Sequence, residues 1–363
     1  MGAEITVLTQ MLSRVANTLY WMVRYVERAD NLARLIDVNE QLLLDCERLD
    51  SERLSSFWKP IILSTGDEAT FNKFYDRIGS EQVVRFLTDD TRNSNSIVSC
   101  ISQARENART VRDQLSDELW EELNSLYLFS RSSEASELLA TNPSRYYEIV
   151  RRASMTFLGI SASTTARNSG WDFMDLGRHL ERADKTTRFL DISTYFPQGA
   201  EALERASPGV LHWSAILSSC GAMGAFRATR QEANATSVMS FLLFSPYFPR
   251  SVRYCIERVD ASLHRISGTP RGMYSNESER VSGKLLCALN YDTPDEVFRQ
   301  GLHEFLDDLQ EKLNHIAEEI FETYVLMPER FDLQPPEDTP EPQAVLPVGQ
   351  WQMSSGQKQK QQQ

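Results

Sequence analysis

The strongest constraint on this chain is that it repeats itself. The segment MVRYVERADNLARLID, Met22 to Asp37, aligns with LGRHLERADKTTRFLD, Leu176 to Asp191, at an offset of 154 residues, and seven of the sixteen positions are identical. At an offset of 155 residues, Trp58, Ile61, Ser64, Gly66 and Phe71 fall on Trp213, Ile216, Ser219, Gly221 and Phe226. Farther along, Val83, Phe86, Leu87, Ser96, Cys100 and Ile101 fall on Val238, Phe241, Leu242, Ser251, Cys255 and Ile256. One single-residue indel therefore relates three separated blocks in the same order. The chain reads as two copies of one unit, over roughly residues 11–160 and 161–330. Two copies are too few for a solenoid, which needs three or more to bury its faces. They suit equivalent helices meeting about a pseudo-twofold axis, packed together as one body.

Within each unit, apolar residues recur at three- and four-residue spacing, and Gly and Pro gather at a few junctions. Alternating runs joined by Asn-Gly or Asp-Gly turns, the usual hairpin signal, are missing. The expected fold is all-α, a helical bundle of two duplicated units. Residues 1–10 are weakly specified and read as a flexible N-terminus. Residues 331–363 are rich in Pro and Gln. Such a segment buries too little apolar surface to offset its ordering entropy, so a disordered tail is expected.

Composition narrows the function. With 38 Lys and Arg against 51 Asp and Glu, the formal charge is −13. That balance speaks against nucleic-acid binding, which needs a basic surface to release counterions. Five cysteines without close spacing read as reduced thiols rather than a disulfide framework. The uncharged stretch from Ser207 to Phe226 carries Ser, His, Gly and Pro, so a membrane span is not expected. No signal peptide is visible. These features point to a cytoplasmic protein without a membrane partner.

On a helical wheel, Arg24, Glu27, Arg28, Asn31 and Arg34 share one arc, flanked by Asp30 and Asp37. Met22, Tyr25, Val26, Ala29, Leu32, Ala33 and Ile36 fill the opposite face. In the second copy Arg178, Glu181, Arg182, Lys185 and Arg188 reproduce the arc, with Asp184 and Asp191 beside it. Three readings stay open. A solvated face would carry alternating charges worth about 0.2–0.5 kcal/mol per pair. A cleft for an acidic small molecule or peptide would use the arginines as bidentate forks, with Glu27 and Glu181 orienting them. A buried structural network, including Asp30, Asn31, Asp37, Asp184 and Asp191, would pair Arg with Glu across the two copies. Retention of Arg at three matched positions, where Lys would serve a solvated face, favours the planar fork.

Further basic residues accompany the repeat. ARENARTVRDQL places Arg105 and Arg109 on one helix face, and FSPYFPRSVRYC adds Arg250 and Arg253 after two prolines. Of these, Arg105, Arg109 and Arg253 join Arg24, Arg28, Arg34, Arg178, Arg182 and Arg188 as candidate ligand-binding residues, as the outlying members. Glu27 and Glu181 are the candidate catalytic acids or bases.

Several chemistries lack their residues. None of the five histidines follows a Glu at three-residue spacing, so the di-metal carboxylate signature is absent. CxxC and HExxH are missing too, and no metal is expected. Neither a P-loop nor GxGxxG occurs, so no nucleotide or other cofactor is expected.

Taken together, MLSRVANTLYWMVRYVERADNLARLID, ARENARTVRDQLSDELWEELN and GWDFMDLGRHLERADKTTRFLD resemble the alpha-E family of bacterial helical proteins. The resemblance covers the chain from Met11 to about Phe331 and leaves only the Pro/Gln tail outside. The family's naming glutamates would correspond to Glu27 and Glu181. Its members usually occur beside, or fused to, a circularly permuted ATP-grasp protein, often with a transglutaminase-like protein nearby. ATP-grasp enzymes join a carboxylate to an amine through an acyl phosphate. The resemblance thus implies an accessory or substrate-handling subunit of a peptide or amide ligase system. A stand-alone amide-forming or acyl-transfer enzyme using Glu27 or Glu181, and a non-catalytic interaction scaffold, are the alternatives.

Overall fold

Two long helices organise the computed structural model, which describes residues 2–45, 51–195 and 208–326. The first, α1 (Gly2–Asp45), starts within the segment expected to be flexible, and its backbone is helical from Gly2. The Pro/Gln tail lies outside the described residues.

Helices α2 (Ser51–Thr65), α3 (Glu68–Phe74) and α4 (Ser80–Thr88) follow α1, and then come α5 (Ile97–Thr110), α6 (Asp117–Ser130), α7 (Ser133–Thr141) and α8 (Pro143–Thr164). The second long helix, α9 (Ser169–Asp191), opens another series. It comprises α10 (Pro208–Ser219), α11 (Met223–Ala228), α12 (Ala235–Phe244), α13 (Val252–Ser267), α14 (Glu277–Tyr291), α15 (Pro294–Gln300) and α16 (Leu302–Phe321). No strand occurs among the described residues.

Local sequence sets the helix starts. Ser96 and Ser251 cap α5 and α13 by accepting from the backbone amides three residues on, and Asn168 does the same for α9. Asn142 caps α8, with Pro143 at its first turn where a missing N–H is harmless. Gly268 closes α13 in the left-handed region at φ 78°. The chain from α5 to α6 does not run on as one helix. It breaks near Val111, and Ser116 caps a new start for α6.

Packing follows a regular scheme. Helices α5 and α8 lie on α1, with α6 spanning both, while α13 and α16 lie on α9, with α14 spanning both. Between these layers α1 and α9 pack directly on each other. The apolar face of α1 (Leu19, Met22, Val23 and Val26) fills a core with Ala104, Ala108, Leu119, Leu123 and Phe157. Its charged arc has nowhere to go but toward α9. Both long helices are therefore buried on nearly every side, and Glu27 and Glu181 are each 0 % exposed. A solvated face is excluded.

The two helices approach most closely at Gly177, where an added Cβ would overlap the backbone carbonyl of Tyr20. Backbone cannot yield as a flexible side chain does. Gly177→Ala should therefore destabilise the protein by about 2–4 kcal/mol in urea unfolding. Gly159→Ala, exposed in the middle of α8 with nothing within 4 Å of the new methyl, should instead stabilise by about 0.5–1 kcal/mol. Equal responses from the two variants would show that α1 and α9 do not touch at Gly177.

Candidate functional site: a reciprocal Arg/Glu exchange and its cleft

Glu and Arg are adjacent in sequence at 27–28 and at 181–182, and helix geometry turns neighbours about 100° apart. At these two steps the Glu does not pair with its adjacent Arg, and each takes its partners from elsewhere. Packing α1 on α9 brings Arg24, Arg28 and Arg182 within reach. Arg28 of α1 forks onto Glu181 of α9, with Nε 2.7 Å from Oε1 and Nη2 3.0 Å from Oε2. Arg24 Nε donates to Glu181 Oε2 at 2.9 Å. In return, Arg182 of α9 sets Nε 2.9 Å from Glu27 Oε1. The arginine of each pair thus serves the glutamate of the other.

The two ends of the exchange differ. Glu181 has three aligned donors from Arg24 and Arg28, and Lys185 Nζ stands 3.8 Å away. Glu27 Oε1 has Arg182 and, at 2.8 Å, Arg250 Nη1, but these are charge contacts without aligned hydrogen bonds. Arg250 also reaches Asp30 and Asn31 at 2.6 Å each. Its guanidinium fills the space beside Glu27.

Beside Glu181 that space is open. A cleft of about 180 Å³ is lined by Arg24, Arg28, Lys185 and Arg188, with Asp67, Asn95, Asp184, Ser64 and Thr65. Lys185 Nζ lies 3.1 Å from Asp184, and Arg188 Nε donates to Asp184 at 2.8 Å. Arg188 extends past Gly66, which turns the chain after α2 at φ 77°. Gly221, at φ 61°, holds the corresponding turn beside Arg34. Asn95 accepts from Arg28 Nη1 at 2.6 Å and donates to Asp67 at 2.8 Å, bridging the two.

Electrostatics fix the protonation states. Burial pushes the Glu27 carboxyl up, but the fields of Arg182 and Arg250 together overrule it and hold the group at about 2. Glu181 is held well below its ordinary value in the same way, burial being overruled by Arg28, Arg24 and Lys185. Both are ionised anchors at neutral pH, which makes them poor proton donors. Burial raises the thiols of Cys100, Cys220 and Cys255 to about 12, which rules out ready thiolate nucleophiles there.

The remaining candidates scatter. Arg34 pairs with Asp30 at 3.0 Å, and Arg178 pairs with Asp175. Asp37 receives Arg151 at 3.0 Å and Ser144 at 2.8 Å. Arg105 and Arg109 do not reach the cleft: they pair with Glu106, and Arg105 lies over the Trp120 and Tyr127 rings. Arg253 likewise stays away, with Nη1 3.4 Å from the Phe244 carbonyl. Asp191 accepts from His303 Nδ1 at 2.7 Å. With Asp307 these two bring one ligand atom each within 4.8 Å of one another, enough to hold a cation.

Sequence reasoning left three contributors out of the site. Asp67 and Asn95 sit in a loop and before a cap, where no periodicity marks them. Arg250 enters from the turn before α13, outside both charged arcs.

With that geometry in view, comparison with known proteins places the chain in a family. Residues 11–325 match Alpha-E, described as a predicted alpha-helical domain with a conserved ER motif. The chain belongs to that family. Similar curated proteins include one from Mycobacterium bovis and one from Mycobacterium tuberculosis, both uncharacterised and both 27 % identical over 341 residues. A second Mycobacterium tuberculosis strain has a relative 26 % identical over the same length. The alignment covers 87 % of this chain but only 37 % of those proteins, so the chain spans little more than a third of their length. No solved structure matches. No helix among the described residues is long and apolar enough to cross a membrane.

Both anchoring carboxyls titrate below the ordinary 4.5, so the stability they contribute is complete above that value and is lost as pH falls toward about 2. Acid unfolding followed by circular dichroism should begin within that window. Glu181→Ala, which strands Arg24 and Arg28, should cost about 3–5 kcal/mol and flatten the same acid limb. A variant as stable as the parent would remove Glu181 from the network.

Proposed function

We propose that the chain is an accessory, substrate-handling subunit of an ATP-grasp-type amide or peptide ligase system. In this reading it acts in the cytoplasm and holds an anionic ligand in the α1/α9 cleft. The observation that carries it is the cleft itself: Arg24, Arg28, Lys185 and Arg188 converge on one open volume. The fixed carboxylates of Glu181 and Asp184 orient them. Guanidinium N–H groups left over from those ion pairs suit carboxylate or phosphate oxygens. The ligase partner, an ATP-grasp protein with a transglutaminase-like protein as possible companion, follows from the family resemblance alone.

The same proposal includes a gene duplication with pseudo-twofold symmetry. Its support is the sequence repeat together with the matched order of packing, α1 with α5 and α8, α9 with α13 and α16. In that scheme the ER motif is the joint between the copies, and Glu27 and Glu181 act as anchors rather than acid–base catalysts.

Arg188 is the cleanest probe, since it touches neither anchoring glutamate and Asp184 keeps Lys185 without it. Titration calorimetry of the full chain with orthophosphate and glutarate should detect binding of at least one. Arg188→Ala should weaken it about tenfold while the melting temperature moves only by a few degrees. Failure of orthophosphate, glutarate and L-glutamate alike to bind, or unchanged affinity in the variant, would overturn the anion cleft.

A further inference from the structure

The cleft also contains an acid that its cations do not use. Asp67 lines the same volume as Arg24, Arg28, Lys185 and Arg188, yet among the described residues no Lys, Arg or His nitrogen lies within ion-pair distance of it. Its neighbour in the cleft, Asp184, is engaged by both Lys185 and Arg188. Asp67 has one oxygen fixed by the Asn95 amide at 2.8 Å. Asn95 is fixed in turn by Arg28, so the carboxylate is aimed rather than free to swing.

Comparison of the two sequence copies sharpens this. At the 155-residue offset Asn95 corresponds to Arg250 and Asp67 to Ala222. Where Arg250 stands, its guanidinium fills the space beside Glu27 and Asp30, and Ala222 is fully buried. Where Asn95 stands, the shorter side chain leaves the space open and holds Asp67 at its edge. Both substitutions act together, one removing the filler and the other adding an acceptor.

From this we infer that the ligand is a free α-amino acid, an inference that rests on the anion cleft proposed above. Its carboxylate would meet Arg24, Lys185 and Arg188, and its ammonium would meet Asp67. A purely anionic ligand would leave Asp67 facing like charge, which is unfavourable in a partly desolvated cleft. A zwitterion satisfies both signs. The volume of about 180 Å³ suits a ligand of that size.

The test compares L-glutamate with glutarate, which keeps both carboxylates and the carbon chain but lacks the amine. Net charge alone favours glutarate, so recognition of the ammonium must overcome that bias. By calorimetry on the full chain, glutamate should bind about tenfold or more tightly than glutarate. Asp67→Asn, nearly isosteric, should erase the difference by weakening glutamate alone. Glutarate binding as well as or better than glutamate, or an unchanged preference in a folded Asp67→Asn, overturns the amino-acid inference while leaving the anion cleft standing. Absence of binding by glutamate, glutarate and orthophosphate alike overturns the cleft itself. The wild-type comparison decides the question even if the variant fails to fold.

Discussion

Two buried carboxylates, each paired with arginine across the contact of α1 and α9, are what the rest of the molecule is arranged around. Ionised Glu27 and Glu181 at zero exposure would be prohibitive alone, because desolvating a charge costs several kcal/mol even after relaxation. Their partners come from across the α1/α9 contact, so the charges are compensated only when the two helices meet in the right register. A slide of one turn would break the pairing of five charged groups, Arg24, Arg28 and Glu181 with Glu27 and Arg182. The contribution of such a network is therefore mainly to specificity. Apolar packing against α5 and α8, and against α13 and α16, supplies the bulk of the driving force.

The exchange gives the Glu-Arg steps at 27–28 and 181–182 a physical reason. Neither Glu27 nor Glu181 pairs with its adjacent Arg, and each is met by arginine from the facing helix. Two ER pairs facing each other solve the problem once for both. The near approach at Gly177 lets the side chains interlock without spreading the backbones.

Symmetry of the joint does not extend to its surroundings. One glutamate is walled in by Arg250, whose guanidinium bridges Glu27, Asp30 and Asn31. The other borders an open, mixed-charge cleft in which Lys185 supplies the positive charge beside Glu181 and Asp184. The joint thus has a sealed side and an accessible one, and the proposed ligand belongs to the second.

Much of the fold was legible without coordinates. Three- and four-residue periodicity and missing hairpin turns pointed to the all-helical fold seen among the described residues, and self-alignment singled out two segments that lie in α1 and α9. The charged arc and its members Arg24, Glu27, Arg28, Glu181, Arg182 and Arg188 were also readable, because a helix fixes which residues share a face. What the arc does was not readable: a periodic charged stripe looks the same whether it faces water, a ligand or another helix. Tertiary packing decided that, since only the meeting of α1 with α9 turned the stripes inward and assigned Arg24, Arg28 and Arg182 to a glutamate about 150 residues away. Packing likewise left Arg105 and Arg109 outside and brought in Asp67, Asn95 and Arg250. Loop residues carry no periodic signature, so their place in a site exists only once the chain has closed around it.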